Sequence, residues 1–340
     1  MHIGFLLPAT MAIGGRSNGI RAQAIYQMRA LERLGHAVTP MHPWDEHDAS
    51  AFDVIHFFLG GLATYSIERM RNTGIRMLSF APIIDTNEPY GRYRLASRLG
   101  HAVPKMFTIP AVLADQANGS DLVVCRSTHE HGRMTKGLGI DPAKCRIVLN
   151  GVDQPPPANP QRARDQLGIQ GDFLLHVSAY TQERKNTVRL ARAALEANLP
   201  LVIAGSSTPG AIKDELVELE RQNPGRIHLL DFLPRETLND LYAACRVFCL
   251  PSVHEGTGLV ALEAAAHGAG VVITKHGGPP DYFADLGYYV DHEDVPAIAR
   301  ALAAAWADPK SEALKAHVST LTWDASARSL VEAFEARRPG

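Results

Sequence analysis

The chain has 340 residues, enough for two α/β domains, and 46% of them are hydrophobic. Its 34 lysines and arginines nearly balance 36 acidic residues, so no strong long-range field favours nucleic acid or anionic lipid. Four cysteines lack the spacing of a metal site, and no apolar run has the length of a membrane-spanning helix. We therefore expect buried free thiols in a reducing, cytoplasmic setting.

The first 150 residues alternate short apolar runs with longer amphipathic segments, which predicts a parallel sheet covered by helices. We expect strands over residues 3–8, 36–39, 52–59, 76–80, 121–126 and 145–149. The first run has no basic segment before it and no cleavage site, so we interpret it as a strand and not as a signal peptide. The turn after it contains Gly14, Gly15 and Asn18, but its spacing is not that of a dinucleotide-binding motif.

Asp85 follows the fourth predicted strand, at the edge where open α/β sheets bind ligands. It is a candidate to orient an acceptor hydroxyl, and the alternative is a turn or helix-capping residue. Residues 88–112 are rich in basic and aromatic side chains. That composition fits contact with an anionic acceptor or simply a solvated helix face.

The alternation restarts after the proline-rich residues 154–160, which we interpret as a stiff linker. Further strands are expected over residues 173–177, 201–204, 227–230, 246–250, 271–274 and 288–290. Arg184 and Lys185 lie in the loop after the first of these strands, and Gly205 ends the second. Two cations in such a loop can neutralise a diphosphate, although basic loop residues more often face solvent.

The stretch from Pro251 to Gly278 has the clearest functional pattern. A strand ends at Pro251, Gly256 and Gly258 open a tight loop, and an alanine-rich helix follows over residues 259–267. The free N–H groups at this helix start can hold an anion. Glu255 and Glu263 are eight residues apart, so Glu263 returns to the face that Glu255 overhangs, unless both are merely solvated charges.

The pattern Glu255-x7-Glu263, within HEGTGLVALEAAAHGAGVVITKHGGPPDYF, resembles the motif of glycosyltransferase family 4. The resemblance covers nearly the whole chain and is weakest between residues 40 and 115. It implies an α/β GT-B fold, with two Rossmann-like parallel-sheet domains facing a central cleft and a C-terminal helix crossing back to the N-terminal domain. It also implies a retaining enzyme that depends on a nucleotide sugar.

The domain boundaries that we expect follow from this resemblance. Residues 1–153 form an N-terminal acceptor domain, and residues 154–165 form a linker. Residues 166–320 form the nucleotide-sugar domain, and residues 321–340 form a terminal helix that packs on the N-terminal domain.

The resemblance also implies roles for individual residues. Glu255, Lys185 and Asp85 are the expected catalytic residues, with Glu255 beside the donor sugar and Lys185 on the diphosphate, while Glu263 holds the ribose. Contacts to the nucleotide sugar are expected from Gly15, Arg184, Lys185, Gly205, Glu255, Gly256, Thr257, Gly258, Leu259 and Glu263.

Three departures from the family pattern limit these assignments. Ala179 stands where the family has a diphosphate-binding arginine, so Arg184 either replaces that arginine or the role is lost. Thr257 stands where a bulkier residue is common, which affects the shape of the sugar pocket. A His-Asp or His-Gly pair near the fourth strand is missing, and Asp85 is the nearest acid.

We expect transfer of a hexose-type sugar from a UDP-sugar or GDP-sugar to a glycan, lipid-linked or small-molecule acceptor, in surface polysaccharide or glycoconjugate synthesis. The sequence has no Asp-x-Asp motif, so we expect neither a metal nor a cofactor besides the donor. The alternatives are a non-catalytic subunit that binds a nucleotide sugar, or a GT-B epimerase. Peripheral contact with the inner face of a membrane stays open, and no nucleic-acid partner is expected.

Overall fold

The structure, a computed structural model, describes residues 1–8, 19–42, 45–58, 64–84, 86–103, 106–169 and 171–337. The chain divides into two compact units, Met1–Gly151 with Trp323–Gly340, and Val152–Thr322. Each unit is built on a parallel sheet with flanking helices. The predicted α/β fold with two sheets is therefore confirmed.

Among the described residues of the first unit, six strands form a parallel sheet in the order β2-β1-β3-β4-β5-β6. The strands are β1 His2–Leu6, β2 Ala37–Met41, β3 Val54–Phe58, β4 Leu78–Ala81, β5 Leu122–Cys125 and β6 Cys145–Ile147. The central strands are almost wholly apolar because helices cover both faces of a parallel sheet. In the core, the rings of Phe57 and Phe80 stack with centroids 5.1 Å apart.

The helices of the first unit follow its strands in alternation. They are α1 Gly19–Arg33, α2 Thr64–Arg71, α3 Tyr90–Ala102, α4 Ile109–Gly119 and α5 Thr128–Gly132, which continues as a π-helical turn over Arg133–Gly137. Short 3₁₀ turns lie at Ala49–Ala51 and Pro142–Lys144. Thr108 caps α4 by accepting a hydrogen bond from the N–H of Ala111. The first turn of α4 also contains a proline, which is tolerated because an N–H at that position would have no partner within the helix.

Six strands also form a parallel sheet within the described part of the second unit, in the order β12-β11-β10-β7-β8-β9. They are β7 Leu174–Val177, β8 Leu201–Ala204, β9 Ile227–Leu230, β10 Val247–Leu250, β11 Gly270–Thr274 and β12 Tyr288–Val290. The helices are α6 Pro160–Leu167, α7 Thr187–Glu196, α8 Ala211–Gln222, α9 Arg235–Ala244, α10 Leu259–Ala266, α11 Pro279–Phe283, α12 Val295–Ala307 and α13 Ser311–Val318.

The order of the second sheet reverses between β7 and β10. From β7 the chain proceeds outward through β8 and β9, and from β10 it proceeds the other way through β11 and β12. The loops that leave β7 and β10 therefore diverge at the carboxyl edge of the sheet. In open α/β sheets such a switch point is where ligands bind.

The last helix, α14 Trp323–Glu335, belongs to the first unit. The rings of Trp323 and Tyr26 on α1 stack with centroids 5.3 Å apart, and Arg33 Nε donates to Asp324 Oδ1 at 2.9 Å. The crossing of the terminal helix back to the N-terminal fold, predicted from the sequence, is thus present. None of the described helices combines the length and apolar character needed to cross a membrane.

The segment predicted as a linker over residues 154–165 differs from the expectation in its second half. Residues from Pro160 onward form α6, which packs against α9, and the second unit begins at Val152. Arg162 on α6 donates to Asp240 Oδ2 at 2.5 Å, and Asn159 N–H donates to Asp240 Oδ1 at 2.7 Å. These contacts fix α6 on the second unit, so only residues 154–159 of the predicted linker lack regular secondary structure.

Candidate functional site

A buried ion pair joins the two loops at the switch point of the second sheet. Lys185 ends a 3₁₀ turn, Glu183–Lys185, in the loop after β7, and Glu255 lies in the loop after β10. Lys185 Nζ donates to Glu255 Oε1 at 2.7 Å, and both residues are buried. The structure thus brings together two residues that the sequence separates by 70 positions.

Backbone and amide contacts hold these two loops against each other. The N–H of Val253 donates to the carbonyl of Arg184 at 2.8 Å. The side-chain amide of Asn186 donates to the carbonyl of Pro251 at 2.9 Å and to that of His292 at 2.7 Å. Asn186 has a φ of 59°, a left-handed conformation that asparagine tolerates better than most residues. Lys185 is therefore placed by the hydrogen bonds of its neighbours and not only by its own ion pair.

Glu255 is ionised in this site despite its burial. Burial by itself would raise the pKa of the carboxyl, but the charge of Lys185 and the hydrogen bond from it outweigh that effect, so the pKa lies below its usual value. The nearby charge of Arg184 acts in the same direction. A carboxylate that stays charged at neutral pH can accept hydrogen bonds from hydroxyl groups of a ligand.

Gly205 and Gly277 allow the loops around the pair to approach closely. A Cβ atom on Gly205, whose φ is +133°, would lie 1.9 Å from the carbonyl oxygen of Ser178 in the loop after β7. A Cβ atom on Gly277, whose φ is +101°, would lie 1.9 Å from the carbonyl oxygen of Glu255. Only glycine fits either position without moving the backbone.

The start of α10 presents free backbone donors next to Glu255. Gly258, with a φ of 81°, precedes the first helical residue, and no side chain caps the helix there. Gly256, in the loop, and Leu259, the first helical residue, are both partly exposed. Thr257 is buried, and its hydroxyl lies 3.4 Å from the hydroxyl of Tyr282. This arrangement agrees with the predicted loop and helix, and it leaves N–H groups that can bind an anion.

Glu263 on α10 pairs with Arg235, a partner that the sequence analysis did not identify. Arg235 donates to both carboxylate oxygens, from Nη1 at 3.0 Å and from Nη2 at 2.8 Å. The side chain of Glu263 is 18% exposed and that of Arg235 is 54% exposed. Each carboxylate oxygen keeps a lone pair beyond the one that Arg235 uses, so Glu263 can still accept from further hydroxyls.

The remaining predicted site residues are Arg184, whose side chain has few contacts, and residues that lie outside the described ranges. Arg184 is exposed, and its Nε donates to Gln182 Oε1 at 3.2 Å. Its side chain is therefore free to turn toward a ligand, but the structure does not fix it at the Lys185–Glu255 pair. Gly15 and Asp85, together with Gly14 and Asn18, lie outside the described residues.

His176 on β7 is a buried residue of the site that sequence analysis missed. Its Nδ1 lies 2.7 Å from the carbonyl oxygen of Cys249, and its Nε2 lies 2.6 Å from Ser178 Oγ. Burial lowers the pKa of His176 to about 4, so the ring is neutral near pH 7. One signal was available in the sequence: a single histidine inside an otherwise apolar strand needs hydrogen-bond partners.

Residues 161–320 match the family model described as Glycosyl transferases group 1. A D-inositol 3-phosphate glycosyltransferase of Streptomyces scabiei is 26% identical over 323 residues, covering 87% of this chain and 70% of the relative. One of Mycolicibacterium vanbaalenii is 31% identical over 240 residues, covering 64% of this chain and 53% of the relative. This chain therefore spans between 53% and 70% of the length of these two relatives.

Solved structures resemble the whole chain. Anabaena HepE in complex with UDP has a TM-score of 0.74 at 16% identity and covers 99% of this chain and 100% of its own. The catalytic domain of starch synthase IV from Arabidopsis thaliana, bound to ADP and acarbose, has a TM-score of 0.74 at 16% identity, with 99% of both chains covered. Residues 161–320 are thus similar to a glycosyl transferases group 1 domain, in a chain with the GT-B fold.

Proposed function

We propose that this protein transfers a sugar, of the hexose type, from a nucleoside-diphosphate sugar to a hydroxyl of an acceptor. The observation that carries the proposal is the buried Lys185–Glu255 pair beside the open helix start at Gly258, at the switch point of the second sheet. The match of residues 161–320 to glycosyl transferases group 1 supports the same activity. UDP-sugars and GDP-sugars are the donors that we propose.

The diphosphate is the leaving group in this reaction, and two features can stabilise its charge. Lys185 supplies a cation that is held in place before the ligand arrives, and the N–H groups at the start of α10 point a partial positive charge at the same region. Arg184, which is exposed, supplies a second cation. It replaces the diphosphate-binding arginine of the family, whose position is taken by Ala179 in this chain. Preorganised donors are effective because they need no reorganisation as charge develops.

Glu255 and Glu263 have different proposed roles, since each has a different partner. Glu255, held by Lys185, accepts from hydroxyls of the donor sugar, and Glu263, held by Arg235, accepts from the ribose hydroxyls. Two carboxylates with separate tasks do not form the nucleophile and acid of a retaining glycosidase. We propose retention of configuration by attack on the face from which the diphosphate leaves, with no covalent nucleophile assigned.

The proposed acceptor is a glycan, a lipid-linked sugar or a small hydroxylated molecule. Two relatives are named D-inositol 3-phosphate glycosyltransferase, which makes a phosphorylated cyclitol one candidate of the small-molecule class. We assign acceptor recognition to the first unit, where Asp85 remains the candidate for the acceptor and Gly15 the candidate for the nucleotide sugar, both outside the described residues.

A surface of the first unit supports peripheral membrane contact by the protein. We call it the α3–α4 surface, and it exposes large apolar side chains: Leu95, Leu99, Val103, Met106, Phe107 and Ile109. Phe107 is 78% exposed and Ile109 is 60% exposed. Arg92 and Arg98 are exposed on the same helix. Apolar side chains flanked by arginines suit the headgroup region of an anionic bilayer, where a lipid-linked acceptor would be presented.

The proposal is tested by measuring release of the nucleoside diphosphate from UDP-sugars and GDP-sugars, with and without a panel of acceptors. Release that depends on the acceptor, and that falls at least about tenfold in Glu255→Gln, is the expected result. Release without any acceptor would indicate hydrolysis or an epimerase-like reaction. Binding of donor with no turnover for any acceptor would favour a non-catalytic subunit and contradict the proposal.

A further inference from the structure

We infer that His276, Asp291 and His292 in the second unit bind a zinc ion. One donor atom of each of the three side chains lies within 4.8 Å of the donor atoms of the other two. The inference rests on this geometry and does not depend on the proposed transferase activity.

The topology explains why these three residues meet. Strands β11 and β12 are parallel neighbours, with Thr274 opposite Val290 in the register. His276 follows the end of β11 by two residues, and Asp291 and His292 directly follow β12. The carboxyl ends of both strands therefore deliver imidazole and carboxylate groups to one edge of the sheet.

The distances are too long for hydrogen bonds and suit a shared metal. Asp291 Oδ2 lies 3.8 Å from His276 Nε2, and Asp291 Oδ1 lies 3.6 Å from His292 Nδ1. Ligand atoms bound tetrahedrally to zinc at about 2.0–2.1 Å are roughly 3.3 Å apart. The three donor atoms lie within 4.8 Å of one another, so side-chain rotations that bring them closer together would complete the coordination.

His292 provides a second observation. Its Nδ1 is buried and has no hydrogen-bond partner among the residues that the structure describes. A buried imidazole nitrogen without a partner costs free energy, and a metal bond at this atom removes the cost. On the opposite side of the ring, Nε2 lies 3.8 Å from Glu293 Oε1, too far for a hydrogen bond, so Glu293 contributes only a nearby negative charge.

The ligand atoms favour zinc over the hard cations. Two imidazoles and one carboxylate are typical donors for Zn²⁺, whereas Mg²⁺ and Ca²⁺ prefer oxygen ligands throughout. The side chains of His276, Asp291 and His292 are 28%, 39% and 16% exposed, so an ion can enter from solvent and a water molecule can take the fourth position. Glu293 N–H donates to Asp291 Oδ1 at 3.3 Å and orients the carboxylate.

Zinc here would brace the loops that carry the candidate donor site. The carbonyl of His276 accepts from the N–H of Glu255 at 3.2 Å, and the carbonyl of His292 accepts from the side chain of Asn186 at 2.7 Å. Asn186 directly follows Lys185. A metal that ties His276 to His292 therefore fixes the backbone partners of both loops, and this consequence for donor binding does rest on the proposed function.

The test is a titration of chelator-treated full-length protein with Zn²⁺ alone, followed by calorimetry in the presence of a competing chelator. We expect one tight equivalent in the wild type. His276→Gln and His292→Gln should each lower the affinity by more than the roughly 10–100-fold that partners outside the ligand set contribute. His228→Gln, a histidine on β9 in the same unit, should leave the affinity unchanged. Co²⁺ bound at the same stoichiometry gives an independent visible absorption.

Substitution of Lys275 should change the zinc affinity in the opposite direction. Its Nζ lies 2.9 Å from Asp291 Oδ2, where it competes with a cation for the carboxylate. Lys275→Gln should therefore strengthen zinc binding severalfold. Equal zinc affinity in the wild type and in the His276→Gln/His292→Gln double variant would overturn the inference and indicate an adventitious ion on other histidines. Nucleotide affinity, measured separately, decides the proposed function alone.

Discussion

Lys185 and Glu255 form a salt bridge of 2.7 Å between two loops of the second unit, and the side chains are only 11% and 10% exposed. Taking two charges out of water is expensive, so each residue is stable in this place only because the other is present. The same pair is held charged and ready for an incoming ligand. Stability and donor binding should therefore change together when one partner is removed.

Removal of Lys185 should destabilise the second unit markedly. Lys185→Ala leaves the Glu255 carboxylate buried without its counter-charge, and we expect a loss of about 3–5 kcal/mol in the free energy of unfolding. Arg184→Ala, at the exposed neighbouring position, should change it by less than about 0.5 kcal/mol. Urea denaturation, monitored by circular dichroism, measures the free energy of unfolding of both variants. Equal losses in the two variants would contradict the claim that the buried ion pair stabilises the second unit.

Acid should destabilise both units because each contains a buried neutral histidine. Burial lowers the pKa of His56 to about 3 and that of His176 to about 4, whereas an unfolded histidine titrates near 6.5. Below pH 6.5 these two histidines bind protons in the unfolded chain but not in the folded chain. Their contribution to the free energy of unfolding is therefore fully present above pH 6.5 and is lost as the pH falls toward 4. Each histidine contributes about 1.4 kcal/mol per pH unit in that window.

The check is the slope of unfolding free energy between pH 7 and pH 5. Since a substitution can also shift the absolute stability, the slope is the quantity to compare. Near pH 5 the double variant His56→Gln/His176→Gln should take up about two fewer protons on unfolding than the wild type, and the difference should shrink toward pH 7. A slope that is unchanged would mean that these rings are not the groups that titrate.

Gly205→Ala should be far more harmful than an alanine at another glycine of unusual φ. Gly210 has a φ of +147°, but no atom lies within 4 Å of the position that a Cβ would take there, so Gly210→Ala should cost only the backbone strain, about 1–3 kcal/mol. At Gly205 the Cβ would also collide with the carbonyl of Ser178. The unfolding temperatures of the two variants separate the effect of the collision from that of the backbone strain. Similar decreases in both variants would contradict the close approach of Gly205 to the carbonyl of Ser178.

The α3–α4 surface should bind anionic membranes. Phe107→Ser with Leu99→Ser should reduce co-sedimentation with vesicles that contain phosphatidylglycerol at least about tenfold, since each removes a large apolar side chain from the bilayer. Phe232→Ser, at a 46% exposed phenylalanine of the second unit, is the control and should bind as the wild type does. Normal vesicle binding by the double variant would contradict this prediction, and a smaller oligomeric state of that variant than of the wild type would instead indicate an interface between copies.

The alternation of apolar strands and amphipathic helices was sufficient to predict the two parallel sheets, because this pattern is a local property of the sequence. Local patterns also singled out Glu255, Gly258 and Lys185 as candidates, and the roles proposed for Glu255 and Lys185 came from the resemblance to a family and stay predictions. The pairing of Lys185 with Glu255 could not be derived, because it depends on β7 and β10 being neighbours in the sheet.

Partners that come from distant loops escaped the sequence analysis for the same reason. Arg235 lies 28 residues before Glu263, and nothing in its own surroundings marks it as the partner of that carboxylate. His276 and His292 are separated by a helix and a strand, and their proximity follows from the pairing of β11 with β12. The helix over 160–167 was missed because its proline and polar residues were interpreted as a linker.

The most direct test of the proposed donor site is the affinity for UDP, GDP and ADP, measured by calorimetry on the wild type and on Glu263→Ala. Loss of a hydrogen bond to a charged group is worth about 1.5–3 kcal/mol, so we expect one nucleotide to bind the wild type and to bind Glu263→Ala roughly 10–100-fold more weakly. Glu218→Ala, which removes a comparable Glu–Arg pair from the surface of α8, should bind as the wild type does. Undiminished affinity in Glu263→Ala would contradict the assignment of this site to the nucleotide.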